Sequence, residues 1–182
     1  MAADDPDILI PREKILQRVA ELADEIAAVY GEKEANGLTL VTILAGSIIF
    51  LADLIRRLPL QMKIGLVTVS SYPGPATESR GAEILSELNL DVAGRDVLLV
   101  DDILDTGGTI RVVRRRLAAS GARSVRTCVL LRKPSKAPAD VVADFVGFDI
   151  DDVFVVGYGL DYNNLYRNLP DIRILSDDQV DV

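Results

Sequence analysis

The sequence predicts an α/β fold built on a mostly parallel twisted sheet flanked by helices. Three observations carry this. Short, largely apolar runs recur at Leu38–Leu44, Val97–Val100 and Val125–Leu131, the pattern of strands covered on both faces. Patterns of helical period separate many of them, and alternating strand and helix is the signature of parallel crossover units, whose connections are right-handed. The 182 residues suit a single domain, since domains commonly hold roughly 100–200 residues.

The elements follow in order. Pro11 to Tyr30 predicts a first helix, with Ile15, Val19, Leu22, Ile26 and Val29 on one face, because three- and four-residue steps return to the same side. Pro11 suits the first turn and Gly31 the stop. Leu38–Leu44 is a buried strand, Ala45-Gly46-Ser47 a tight connection, and Ile48–Leu58 a helix ending at Pro59. A second strand spans Gln61–Ser70. Ser71–Gly81 holds two prolines and two glycines, which excludes regular structure. Ala82–Leu90 is a strand, Asp91–Arg95 a turn, and Asp96–Val100 a central strand. Ile110–Ser120 is helical and stops at Gly121; Ser124–Leu131 is a strand; Phe145–Phe148 and Val153–Val156 are short apolar pieces.

Composition narrows the function classes. Twenty basic residues against 28 acidic ones give a net charge of −8, which argues against non-specific nucleic-acid binding, a process that needs positive charge. The apolar runs fall short of the roughly 20 residues a membrane helix requires, and the N-terminus lacks a secretory pattern. A cytoplasmic location without membrane contact is the expectation. The single cysteine, Cys128, reads as a small buried hydrophobe. Histidine is absent, so acid–base work falls to Asp, Glu, Lys or Tyr. Any metal site must then be built from oxygen, which favours magnesium or calcium over zinc.

In open α/β sheets ligands bind beyond the carboxyl ends of the strands. Three loops lie at such ends: Ala45–Ser47, Asp101–Thr109 and Arg132–Ser135. The middle one is the most informative. Asp101 and Asp102 follow a buried strand, and ionised carboxylates only accept, so together they suit the two hydroxyls of a vicinal diol. Thr106-Gly107-Gly108-Thr109 opens a helix; its glycines let backbone N–H groups close on an anion, with the helix dipole behind them. Asp105 between them has two readings, a helix N-cap or a general base facing the ligand. Hydroxyls and an anion side by side suggest a phosphorylated sugar. Arg114, Arg115 and Arg116 read as the solvated face of the following helix. The Gly-x-Gly-x-x-Gly pattern of dinucleotide sites is absent after the strands.

Val97–Thr109 resembles the phosphoribosyl-pyrophosphate (PRPP) signature of the type I phosphoribosyltransferases. Leu44–Ser47, Ser71-Tyr72, Leu130–Ser135 and above all the run Asp144–Arg167 are similar to the hypoxanthine-guanine phosphoribosyltransferases, in the same order across roughly residues 8–176. The resemblance implies the type I fold with a small hood built from terminal segments. It implies a purine-salvage enzyme that moves the phosphoribosyl group of PRPP to hypoxanthine, and to guanine as well, giving IMP or GMP and pyrophosphate with Mg2+. Asp101 and Asp102 would hold the ribose hydroxyls, Asp101 beside magnesium, and the backbone of Asp105–Thr109 would cradle the 5′-phosphate. Asp105 would exchange a proton at purine N7. Lys133 would donate to the 6-oxo group, Phe154 would stack on the base and Val155 would read its edge. Asp161 would serve a second magnesium or the base 2-position. Arg167 and Ala45, Gly46 and Ser47 would bind pyrophosphate. Ser71 and Tyr72 would belong to a mobile lid over 71–81. The resemblance also implies a homodimer or homotetramer.

One position departs from the family pattern: Ala45 stands where Lys or Arg is frequent, which removes a charge from the pyrophosphate loop and leaves its backbone. The alternative within the same fold is a PRPP-sensing regulator of nucleic-acid binding. Such a protein should be basic and lack base-reading groups; the charge of −8 and the presence of Lys133, Phe154 and Asp161 count against it.

Overall fold

A computed structural model of the chain describes residues 7–34, 38–70, 83–84 and 90–176. In chain order its elements are β1 (Ile8–Ile10), α1 (Arg12–Glu34), β2 (Leu38–Leu44), α2 (Ile48–Ile55), β3 (Lys63–Ser70) and β4 (Glu83–Ile84). Then come β5 (Asp96–Leu104), α3 (Gly108–Ala119), β6 (Ser124–Arg132), β7 (Phe145–Asp149), β8 (Val155–Val156) and β9 (Ile172–Ile174). The main sheet has the order β4-β3-β2-β5-β6-β7. Its strands β3, β2, β5, β6 and β7 run parallel, and β4 adds antiparallel to β3 at one edge.

Alternation along β5 explains the two-sided core. Successive side chains of a strand point to opposite faces. Leu98 and Val100 join Ile15, Leu22, Phe50 and Leu54 on the side of α1 and α2. Val97 and Leu99 join Val113, Leu117 and Val129 on the side of α3. All four β5 residues are fully buried, and each such side chain contributes roughly 1.5–3 kcal/mol. A separate antiparallel sheet, β1-β9-β8, joins the two ends of the described chain. It corresponds to the expected hood. No described helix is long and apolar enough to cross a membrane.

Several boundaries differ from expectation. β5 runs four residues past Val100, because its ladder with β6 continues through Asp101↔Val129, Ile103↔Leu131 and Leu104↔Arg132. The carboxylate pair therefore stands on a strand, not in a loop. Helical structure resumes beyond Gly31 to Glu34, across a kink where Gly31 has φ 50°. Val29 is 44% exposed, and Tyr30 takes the core position instead, its ring 5.3 Å beneath the guanidinium of Arg126. The helix α2 stops at Ile55, and Leu58 reaches the core from the turn that follows. β3 begins at Lys63 rather than Gln61, and of the expected strand Ala82–Leu90 the described residues Glu83–Ile84 are strand while Leu90 is not.

Candidate active site

Parallel pairing brings the carboxyl ends of β2, β5 and β6 to one edge of the sheet. A cavity of about 320 Å³ opens there. Ala45, Gly46, Asp101, Asp102, Asp105, Thr106, Gly107, Gly108, Thr109, Asp161 and Arg167 all line it. Side chains expected from three separate stretches of sequence thus share one space.

Asp101 is 6% exposed. Its Oδ1 accepts from the Asp102 N–H at 3.1 Å, and Asp102 Oδ1 accepts from the Ile103 N–H at 2.9 Å. Burial first, then the charge of Asp102, holds the Asp101 carboxyl well above the usual range. Burial likewise raises Asp102, with hydrogen bonds and the charge of Arg167 acting in the opposite sense. Among the described residues no cation stands within ion-pair distance of either carboxylate. Asp102 lies so close to the β2–α2 connection that a Cβ at Gly46 would sit 1.7 Å from its Oδ2. Only glycine allows that approach.

Gly107 is the N-cap of α3, with φ 71° in the left-handed region that glycine enters without steric cost. No side chain caps the helix, so the N-cap reading of Asp105 is wrong: the cap lies two residues further on. The Gly107 carbonyl accepts from the Arg111 N–H at 2.9 Å. The N–H groups of the first turn have no side-chain acceptor among the described residues, as an anion cradle requires.

Asp105 faces the cavity. Its Oδ1 is buried without a hydrogen-bond partner, and its Oδ2 lies 3.4 Å from Lys133 Nζ. Lys133 is 6% exposed, and its Nζ also donates to Asp152 Oδ1 at 3.1 Å. Lys133 thus stands beside the cavity lining and touches it through Asp105. Asp152 and Lys136 were not singled out from the sequence. The available signal was the spacing of Lys136, one turn beyond Lys133.

Phe154 is 45% exposed and meets Tyr162 edge-on, with centroids 5.5 Å apart at 87°; it is an available aromatic face and not a core residue. Val155 is buried on β8, opposite Ile174. Neither lines the cavity itself. Asp161 pairs with Arg167 at 2.7 Å and accepts the Asn164 N–H at 2.8 Å. Arg167 also donates to the Gly159 carbonyl at 2.7 Å, which braces its guanidinium at the cavity wall. The Ser47 hydroxyl is fully buried and engages Thr42 Oγ1 at 2.6 Å and the Ile43 carbonyl. Its side chain points into the fold, so only the Ser47 backbone is left for a ligand. The Leu44–Ala45 peptide is cis. Ser71, Tyr72 and the remainder of 71–81 lie outside the described residues.

Among the described residues, no three Asp, Glu, Cys or His side chains group closely enough to form a metal cluster. The Asp101–Asp102 pair nevertheless fits a hard cation that takes its other ligands from substrate or water, because it is oxygen-only, has Asp101 buried, and has no cation within ion-pair distance among the described residues. Asp161 already carries a counter-charge in Arg167.

The phosphoribosyl transferase domain model matches residues 8–163. The hypoxanthine-guanine phosphoribosyltransferase of Mycobacterium tuberculosis (strain H37Rv) is 42% identical over 175 residues, covering 94% of this chain and 87% of that protein. The hypoxanthine phosphoribosyltransferase of Salmonella typhimurium is 42% identical over 164 residues, covering 90% and 92%. Among solved structures, a Staphylococcus aureus hypoxanthine phosphoribosyltransferase superposes with TM-score 0.87 at 38% identity, covering 95% and 92%. A Trypanosoma cruzi hypoxanthine phosphoribosyltransferase in ternary complex with its substrates gives TM-score 0.87 at 35% identity, covering 95% and 96%.

Proposed function

The chain belongs to the phosphoribosyltransferase family, and from that premise we propose that it is a hypoxanthine phosphoribosyltransferase of purine salvage, acting on guanine as well. It transfers the 5-phosphoribosyl group of PRPP to the purine and releases pyrophosphate. The observation that carries this reading is the single cavity where the Asp101–Asp102 pair meets the α3 cradle, with Asp105 and Lys133 at its border.

The side chains divide the work by their chemistry. Asp101 and Asp102 accept from the ribose hydroxyls. The Thr106–Thr109 backbone donates to the 5′-phosphate. Arg167 and the backbone of Ala45, Gly46 and Ser47 receive the pyrophosphate. The base lies against Phe154, with its edge at the Val155 backbone. Lys133 donates to the 6-oxo oxygen, which an adenine amino group does not offer. As purine N9 attacks C1′ and the bond to pyrophosphate breaks, positive charge develops on the ribose, as in glycosyl transfer generally. Asp105, which lines the cavity, takes the imidazole proton. Magnesium bound at the aspartate pair would neutralise the departing pyrophosphate; Asp161, already paired with Arg167, would contribute to a second ion or to the base 2-position. The acidic charge of −8 and these base-facing groups do not favour a nucleic-acid-binding regulator. The active assembly is a homodimer or homotetramer.

The test is a panel of initial rates with hypoxanthine, guanine, xanthine and adenine at fixed PRPP and magnesium. IMP and pyrophosphate should form in equal amounts from hypoxanthine, and adenine should be rejected. Asp105→Asn should lower kcat by about 10²-fold or more, the usual range for a lost general base. A preference for adenine, or no pyrophosphate with any base, would overturn the reading.

A further inference from the structure

Beside the cavity, four charged side chains form a closed set. Asp152 Oδ1 accepts from Lys133 Nζ at 3.1 Å and lies 2.8 Å from Lys136 Nζ. Lys133 Nζ lies 3.4 Å from Asp105 Oδ2, and Lys136 Nζ lies 3.9 Å from Asp105 Oδ1. Two cations and two anions balance. Backbone structure builds the set. The N–H groups of Lys136 and Ala137 both donate to the Lys133 carbonyl, and this turn puts the two lysines side by side. The parallel register Arg132↔Asp149 and the bond from Ile150 N–H to the Arg132 carbonyl bring Asp152 alongside.

An ammonium has three donors. Asp152 and Asp105 occupy two directions around Lys133, leaving the third. We propose that Asp152, held by Lys136, is a positioning residue that aims the free N–H of Lys133 at the base and keeps that ammonium from closing on Asp105. This rests on the roles proposed above for Lys133 and Asp105. Lys133 is almost fully buried, so its charge must find a carboxylate. With Asp152 neutralised, Asp105 is the nearest carboxylate left, and Lys133 would close the remaining gap. The same step would turn Lys133 away from the 6-oxo group and occupy Asp105. Asp152 is itself 44% accessible in its side chain, so its replacement threatens the fold little.

The experiment compares steady-state kinetics of Asp152→Asn, Asp152→Glu and Lys136→Met with the wild-type enzyme, varying hypoxanthine and PRPP separately. Asp152→Asn should raise KM for hypoxanthine about tenfold, the scale of one charge-assisted hydrogen bond, and lower kcat, with KM for PRPP unchanged. Asp152→Glu should recover much of the loss. Lys136→Met should raise the hypoxanthine KM less than Asp152→Asn does, since the Lys133–Asp152 bond survives. Equal changes in both KM values, or wild-type kinetics for Asp152→Asn, would overturn the proposal. If instead the wild-type protein makes no nucleotide from hypoxanthine, the functional reading fails before Asp152 is tested.

Discussion

Burial and the neighbouring Asp102 charge raise the Asp101 carboxyl well above its ordinary range, so at neutral pH this site opposes the native state. The sign follows from proton linkage. A carboxyl that binds its proton more tightly when folded costs stability as pH rises through its folded value, and the cost disappears toward the unfolded value of about 3.9. Asp101→Asn keeps an oxygen for the Asp102 N–H and removes the buried charge. Calorimetry at pH 7 should show Tm raised by roughly 2–4 °C, the shift that about 1 kcal/mol gives a chain of this size. The gain should shrink as pH falls toward 4. PRPP affinity should fall in the same variant, because an amide is a poorer acceptor for the ribose hydroxyls. A stabilised variant with normal PRPP binding would remove Asp101 from the ribose site.

At the scale of elements, the site depends on how closely the β2–α2 connection approaches β5. A methyl group at Gly46 would overlap Asp102 Oδ2, and the atom that must yield is the end of a side chain rather than backbone. Gly46→Ala should therefore fold, with an unchanged far-ultraviolet spectrum, while Asp102 is pushed out of place. KM for PRPP should rise about tenfold or more, the cost of one or two misplaced hydrogen bonds to a charged group, with KM for hypoxanthine nearly unchanged. An equal rise in both would mean that the connection supports the whole cavity and not the sugar end alone.

Across the whole molecule, the two-sided core shields β6. Cys128 is fully buried, and burial pushes its thiol well above its ordinary range. Thiolate is the reactive form, so a thiol reagent should leave the native protein unlabelled and modify its one cysteine after denaturation. In native buffer the labelling rate should follow the opening of the core. Rapid labelling without denaturant would show that β6 opens locally.

Much of this was legible in the residues themselves. Apolar runs and helical spacing located β2, β5, α3 and β6, because strand and helix periods are local properties. The order of carboxylates, glycines and threonines from Asp101 to Thr109 likewise suggested a sugar phosphate within one short segment. Other features depended on neighbours distant in sequence. Tyr30 displaced Val29 from the core, and the Ser47 hydroxyl turned inward to Thr42. The pairing of β5 with β6 carried the strand through both aspartates. Asp152 meets Lys133 across 19 residues, through the register of β6 on β7. The sequence alone determined the fold class and gathered the proposed sugar-phosphate residues into one segment, since both lie in local pattern. Tertiary structure decided which carboxylate each cation faces, because that depends on how separate strands align.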